Sequence, residues 1–454
     1  MMWGMWTLWQ YRWRQDLKRP WVVAVWGGML LLLLWSTSQE MQTYSNYQRS
    51  QAEMIVQQRH LWEHQGALNP HTAVHHGLYA FKPWLPLSVL EPGLQAYLGS
   101  TVFLEGHRQH ISAFAPAADQ LRLSALALLS PAALFQQGVP LVIILLGYGC
   151  IAQLRAQGTL AFLVAYGLSR RQILLAEGLY LFSLVLLMVL PTFVLSSWWL
   201  FQEASWQSTG WQWLVFWGAF GLYWAIFIQV TLLVSGVSSK SRQALFVLFM
   251  VWLFNGLVLP RSMMSAADLP AYSVLQAHIQ QELDTLPDWQ TRLSQLHLPP
   301  EVNAEAEVLK ASEADETAVF AKHMQALYER YTQGVAGYYR WRMFVPALAL
   351  QQLSQGLAQS DLSSHQNFLQ AAEAYRQDYI LQLNAVLSER SAEETFSYEA
   401  GNDLWQQVPE FEAPQALTSS QWREALKSLG CLGLWWLGSF GVLGFYQRRY
   451  EVLP

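Results

Sequence analysis

Histidine is the residue type in this 454-residue chain whose placement most suggests chemistry. Seven of the eleven histidines, His60, His64, His71, His75, His76, His107 and His110, fall in one polar stretch. His60 with His64, and His71 with His75, stand at i, i+4, the spacing that puts two imidazoles on one helical face within reach of zinc or copper. No cysteine lies in that stretch, no His-Glu-x-x-His occurs, and the setting is Pro-rich. A polar surface that uses histidine freely explains the same residues. We therefore expect the region to fold without metal, and His71, His75 and His76 are the ligands to examine if an ion binds. Asp361 and His365 repeat the i, i+4 spacing, for which a hydrogen bond at a helix start is a sufficient account. Nowhere does Gly-x-x-x-x-Gly-Lys-Ser/Thr occur, so the chain has no phosphate-cradling loop of its own, and any nucleotide hydrolysis belongs to a partner. No catalytic residue, cofactor or enzymatic activity is expected.

The elements that position these residues are set by a membrane. The chain is 53% hydrophobic and 13% charged with 23 tryptophans, too apolar and too aromatic for an ordinary soluble protein. Apolar runs predict six spans, at residues 20–36, 128–151, 173–200, 211–236, 243–260 and 425–446. Within them no Asp, Glu, Lys or Arg stands mid-membrane; Glu177 is near an end, and Gln229 and Asn255 are the notable polar side chains. Residues 1–19 place Trp6, Trp9 and Trp13 on one helical face followed by Arg12, Arg14, Lys18 and Arg19, the pattern of an interfacial helix lying on a bilayer.

Charge orients the spans. Eleven of the twenty-seven Lys and Arg residues flank them at residues 1–19, 152–172, Lys240 with Arg242, and the tail 447–454, which marks those segments as cytoplasmic, N- and C-termini included. The polar regions 37–127 and 261–424 are then extracytoplasmic insertions; residues 261–424 hold twenty-two Asp and Glu against ten Lys and Arg. The first insertion is expected to begin with a helical continuation of the first span through Met41, Tyr44, Met54 and Ile55, after which the prolines and glycines between Asn69 and Gly99 predict an ordered, aromatic-studded loop. The second reads as helical, with a stripe at Phe368, Ala372, Tyr375, Tyr379, Leu383 and Val386 capped by Ser363 or Ser364, and a further helix over Glu301 to Tyr331. Cys150 and Cys431 lie in apolar runs towards opposite membrane faces and are expected to be unpaired. The fold class expected is mainly α, a six-span helical membrane domain with an N-terminal interfacial helix and two mostly helical extracytoplasmic insertions.

The segment 153–178, QLRAQGTLAFLVAYGLSRRQILLAEG, is a short basic loop between two apolar runs, with an apolar patch at residues 161–165 ended by Gly167 and Ser169 placed to cap the next helix. Its Gly158-Thr159-Leu160, Ser169-Arg170-Arg171, Leu174-Leu175 and Gly178 resemble the cytoplasmic loop of ABC-2 type transporter permeases. The words NPHTAVHHGLYAFKPWLPLS, EPGLQAYLG and PALALQQLSQGLAQSDLSSHQNFLQAAEAYR resemble a subgroup of those permeases with large extracytoplasmic insertions of unknown function. The resemblance implies a permease subunit of the bacterial inner membrane that works as a homodimer or with a sister permease. Its separate ABC ATPase subunit, which binds the ATP, is expected to touch Arg155, Gly158, Thr159, Leu160, Ser169, Arg170 and Arg171. The family's acidic run before Gly-Thr-Leu is replaced here by Arg155-Ala156-Gln157. An alternative reading of the same residues is a membrane-anchored mechanotransmission protein whose outer region acts on an extracytoplasmic partner without cargo crossing the spans. Either way the lipid bilayer is a partner, and no nucleic acid is expected.

Overall fold

The computed structural model describes residues 2–113, 129–203, 206–264, 272–295, 303–391 and 398–451. The end of the first expected insertion and the start of the second span (114–128), the middle of the short loop at 204–205, the start of the second insertion's chain (265–271), the first two positions of the helix expected from Glu301, and the last three of the tail lie outside the described residues.

Among the described residues, six helices are long and apolar enough to cross a membrane. An N-terminal helix, α1 (Met2–Asp16), precedes the first of them, α2 (Pro20–Glu63). Pro20 sits in the first turn of α2, where its missing N–H breaks no helical bond. The span expected at 20–36 is only the beginning of α2. The helix runs unbroken for 44 residues, about 66 Å at 1.5 Å per residue, roughly twice the thickness of a hydrocarbon core. After the short helix α3 (Pro70–His76) and strands β1 (Leu78–Phe81), β2 (Thr101–Glu105) and β3 (Arg108–Gln109) come the second span, α4 (Pro131–Ala156), a connecting helix α5 (Thr159–Ala165), and the spans α6 (Arg170–Leu200), α7 (Trp206–Val237) and α8 (Ser241–Met263).

Two of the spans carry a π-helical turn, Leu134–Gly138 in α4 and Phe254–Val258 in α8. The turns meet: Gln137 Nε2 donates to Gly256 O at 3.0 Å, and a Cβ on Gly256 would run into the Gln137 amide. Asn255, in the same turn, donates to the Tyr223 hydroxyl at 2.9 Å and accepts from the Ala347 amide at 3.3 Å.

The remaining helices are α9 (Tyr272–Leu283), α10 (Trp289–Gln295), α11 (Ala304–Tyr339), α12 (Pro346–Leu357), α13 (Leu362–Arg390), α14 (Asn402–Gln407) and the last span, α15 (Ser419–Glu451). Helix α12 buries most of its length against α7 and α15, so the second polar region reaches back into the bundle. The two polar regions are not separate bodies. Trp62 at the end of α2, Leu78, Val102 and Leu104 of the sheet, Phe368, Tyr379 and Leu383 of α13, and Trp405 of α14 share one core.

In that unit the expectation of mostly helix fails for the first region. Strands β1, β2 and β3 form an antiparallel sheet in that order, with Leu78 opposite Leu104 and Glu105 opposite Arg108. The strands are too short for alternation to show in sequence, and they are stabilised by α13, whose Tyr379 hydroxyl donates to Leu104 O at 2.7 Å. The stripe on α13 is buried at Phe368, Ala372, Tyr379 and Leu383 but turns to Leu387 rather than Val386. Its cap is Asp361, which accepts from Ser364 N at 3.0 Å, not Ser363 or Ser364. A carboxylate at that position also meets the positive end of the helix dipole. His365 does not bond Asp361 through its side chain; its Nε2 lies 3.0 Å from Ser112 Oγ. Both cysteines are free.

Candidate functional site

At one end of the bundle the chain ends of α4, α7, α8 and α15 converge on Arg155. Its guanidinium donates to Gly236 O, to Ser238 O at 3.0 Å and to the Tyr446 hydroxyl at 3.3 Å. Of the residues the sequence put on this surface, Arg155 is therefore used as a clamp between helix ends. Gly158 follows with φ +73°, and Gly167 closes α5 with φ +90°. Both are left-handed conformations that cost an L side chain roughly 1–2 kcal/mol. Between them, Leu160 and Leu163 pack inward on the bundle, whereas Phe162, Val164 and Tyr166 are exposed, with the rings of Phe162 and Tyr166 4.5 Å apart. Thr159 is half-buried at the start of α5. Ser169 starts α6 with a full capping box: its hydroxyl accepts from Gln172 N at 3.3 Å while its own N–H donates to Gln172 Oε1 at 2.8 Å. Arg170 and Arg171 occupy the first two positions of α6, Arg170 half-buried and Arg171 exposed.

Helix α1 lies against α6 at the same end. Trp9 and Trp13 turn their indole N–H groups to Ser183 Oγ at 3.2 and 3.0 Å, while Trp6 stacks on Trp9 and is half exposed. Two of the three tryptophans thus serve a helix–helix contact. The spacing of the tryptophans held no sign of the charges beneath them. Arg12 Nε stands 3.1 Å from Oε2 of the wholly buried Glu177, Tyr180 donates to Asp16 at 2.6 Å, and Arg19 donates to the other Asp16 oxygen at 3.0 Å. Leu168, in the connection to α6, packs over Gly4 of α1. The α5 segment therefore touches α1, which leads through the short link Leu17–Arg19 into the long helix α2.

The far end of α2 is tied to the polar unit. Trp62 Nε1 donates to Trp405 O at 3.0 Å, and Arg59 donates to Val408 O at 2.7 Å and Gln406 O at 3.1 Å. Beside that joint lies the histidine group. His71 and His75, one turn apart on α3, come together with His107 from the β2–β3 turn, and one nitrogen from each lies within 4.8 Å of the others. Sequence reasoning had His76 as the third candidate; its Nδ1 instead faces Gln65 Oε1 at 3.2 Å, away from the group. His107 was visible only as one more histidine, because a hairpin and not a helix brings it across. It adopts φ +63°, a conformation that histidine tolerates better than most residues. Gly106 allows the turn to sit on α3: a Cβ there would lie 2.8 Å from Val74 Cγ1.

Burial, followed by the neighbouring imidazoles, lowers the pKa of His71 to about 4 and that of His75 in the same direction. At His107 burial also pulls downward, but the hydrogen bond to Glu316 and the charge of Glu313 outweigh it and the pKa rises.

Residues 265–413, which span much of the second polar region, match a family model described as a domain of unknown function, DUF3526. No curated protein matches the chain. The matched stretch includes Glu313, Glu316 and Arg376, whose contacts to His107 and to Glu105 O join it to the first polar region.

Proposed function

We propose that the chain is the transmembrane subunit of an ATP-driven ABC-2 type export complex in a bacterial inner membrane, with ATP bound and hydrolysed by a separate subunit. In this reading both termini and the α5 segment are cytoplasmic and the polar unit is extracytoplasmic. The N-terminal helix lies at the inner interface, and a second copy or a sister permease completes the pore. The observation that carries it is the α5 segment. Exposed Phe162, Val164 and Tyr166 stand between two left-handed glycines, and Arg171 is exposed just beyond, on the only connection at that end long enough to offer a platform among the described residues.

Removing those contacts tests it. A chain with Phe162→Ala, Tyr166→Ala, Arg170→Ala and Arg171→Ala should insert in the membrane but lose the ATPase that co-purifies with the wild type and the ATP turnover of that complex. Buried interfacial arginines cost about 2–5 kcal/mol on truncation, enough to release a subunit. Wild-type recovery of a Walker-motif ATPase with wild-type turnover would show that these residues only anchor α6 at anionic headgroups.

A second reading draws on α2. A single helix of 44 residues, coupled to α5 through α1 at one end and hydrogen-bonded to α14 at the other, is built to transmit movement. The complex would then work by mechanotransmission, moving the polar unit against an extracytoplasmic partner without cargo crossing the spans.

A further inference from the structure

When all three imidazoles are neutral, the form that binds a metal, and Asn384 presents its oxygen to His71, no hydrogen-bonding scheme satisfies them all. His71 Nδ1 is 3.3 Å from Asn384 Oδ1 and His107 Nδ1 is 2.6 Å from Glu316 Oε2. Both partners are acceptors, so each holds the ring hydrogen on Nδ1 and leaves Nε2 bare. The two bare Nε2 atoms are then 3.4 Å apart, and His75 Nε2 is 3.3 Å from that of His71. One hydrogen on His75 can serve one lone pair, but the remaining lone pair meets another. A cation between the rings removes the conflict.

Distances and partners fit a cation of a particular class. Zinc bonds imidazole nitrogen at about 2.0–2.1 Å, and the edge of a tetrahedron with that bond length is about 3.3–3.4 Å, the separation found here. Ligating histidines ordinarily hold their other nitrogen on a carboxylate or carbonyl, as Glu316 and Asn384 do for His107 and His71. Three neutral imidazoles suit zinc, copper or nickel and not calcium or magnesium. His75 is exposed, so the fourth position opens to solvent.

We propose that His71, His75 and His107 form a binding site for one divalent transition cation of zinc's class, with Asn384 and Glu316 orienting the rings and solvent in the fourth position. The site draws its ligands from α3 and the β2–β3 turn and an orienting group from each of α11 and α13, so the ion ties the turn to α3 while the second polar region holds the rings. It departs from the expectation that spacing alone supported, and it does not depend on which ATPase, if any, docks on α5.

The test uses the full chain in detergent, purified with a tag free of histidine, stripped with chelator and dialysed against Zn²⁺. One equivalent should be retained, and the Tm should rise with zinc. Cobalt in its place should give the intense visible absorption of a tetrahedral site. His75→Gln, an exposed substitution that threatens no packing, and His107→Asn, which keeps a residue tolerant of positive φ, should each abolish retention and the cobalt spectrum. His76→Gln should keep both. Asn384→Ala should weaken zinc about 10–100-fold, as loss of an orienting partner does. If the wild type retains no more zinc than His75→Gln, or if His76→Gln loses it equally, the assignment is wrong.

Discussion

Polar side chains are gathered at the α5 end of the bundle and in the polar unit, and the two places satisfy them in opposite ways. Between α1 and α6, Arg12, Asp16, Arg19, Glu177 and Tyr180 pair off by opposite charge or by donor and acceptor. In the polar unit three imidazoles face one another with carboxylates against only one of them, His107, and their pKa values are driven apart, about 4 at His71 and upward at His107. The first arrangement is a joint held by opposite charge. The second is poised to take up a proton or an ion, which is what a site exposed to changing conditions requires. Of the two, only the second is expected to answer to solution chemistry.

The sharpest break in this contrast is Glu177→Ala. It leaves the Arg12 guanidinium beneath α1 with only Asp16, 3.7 Å away, for a counter-charge, and breaking a buried pair costs up to about 3–5 kcal/mol. Thermal unfolding in detergent should show a large drop in Tm, and the amount of protein in the membrane should fall. Replacing both members, Arg12→Met with Glu177→Leu, should recover much of the loss. A Glu177→Ala chain as stable as the wild type would mean that the pair is solvated and the joint is not held by it.

Acid should act on the polar unit and smaller effects should be separable there. His365 is buried and its pKa is lowered to about 3 by burial and then by Lys82. The unfolded chain binds a proton near pH 6.5 that the folded chain refuses, so this group's contribution is present above about 6.5 and is lost as pH falls towards 3. His107 has the opposite sign: its contribution is present below about 6.5 and is lost as pH rises through its raised folded value. Glu91, raised to about 7 by burial, adds a loss between about 4.5 and 7 that partly cancels the histidine slope, so the wild-type curve alone is a poor witness. The difference between wild type and His365→Gln isolates one group. It should grow by up to about 1.4 kcal/mol per pH unit below pH 6.5, measured by chemical unfolding at a series of pH values. A difference that does not vary with pH would place the shifted group elsewhere.

How much of this the sequence carried follows from how far apart the cooperating residues are. The spans were legible because an apolar run of twenty or so residues has few other uses, and the Ser169 cap because its partner is three residues away. Helix α2 was legible at its start and in its continuation through Met41, Tyr44, Met54 and Ile55, because apolar residues recur into the polar half; its last turns, to Glu63, were not. The sheet was hidden by strands of two to five residues whose support comes from Tyr379 and Arg376, more than 250 residues on. The Arg12–Glu177 pair joins positions 165 apart, and neither residue looks unusual where it stands. His107 could have been found from Glu105-Gly106-His107-Arg108, a turn sequence between two short β-prone runs, since such a hairpin tip is free to aim its side chain at α3. His71 and His75 were found because a helix makes i, i+4 a local statement.

The smallest expected effect separates, within the bundle's end, what charge holds from what backbone holds. Gly158 has φ +73° and open space around it, with no atom within 4 Å of where a Cβ would stand. Gly158→Ala therefore meets no neighbour and costs only the strain of an L residue in the left-handed region, about 1–2 kcal/mol. Gly158→Asn should recover part of that, because asparagine enters the left-handed region more readily. Neither change touches the Arg12–Glu177 pair, so both variants should keep α1 on α6. That packing can be followed by cross-linking cysteines placed at Gly4 and Leu168 in a chain whose two native cysteines are replaced. A small Tm shift ordered wild type, Asn, Ala, with cross-linking unchanged, fits a segment hinged on its glycines beside a joint held by charge. A loss as large as that of Glu177→Ala would show that α5 is held by its surroundings and that the two kinds of support cannot be told apart.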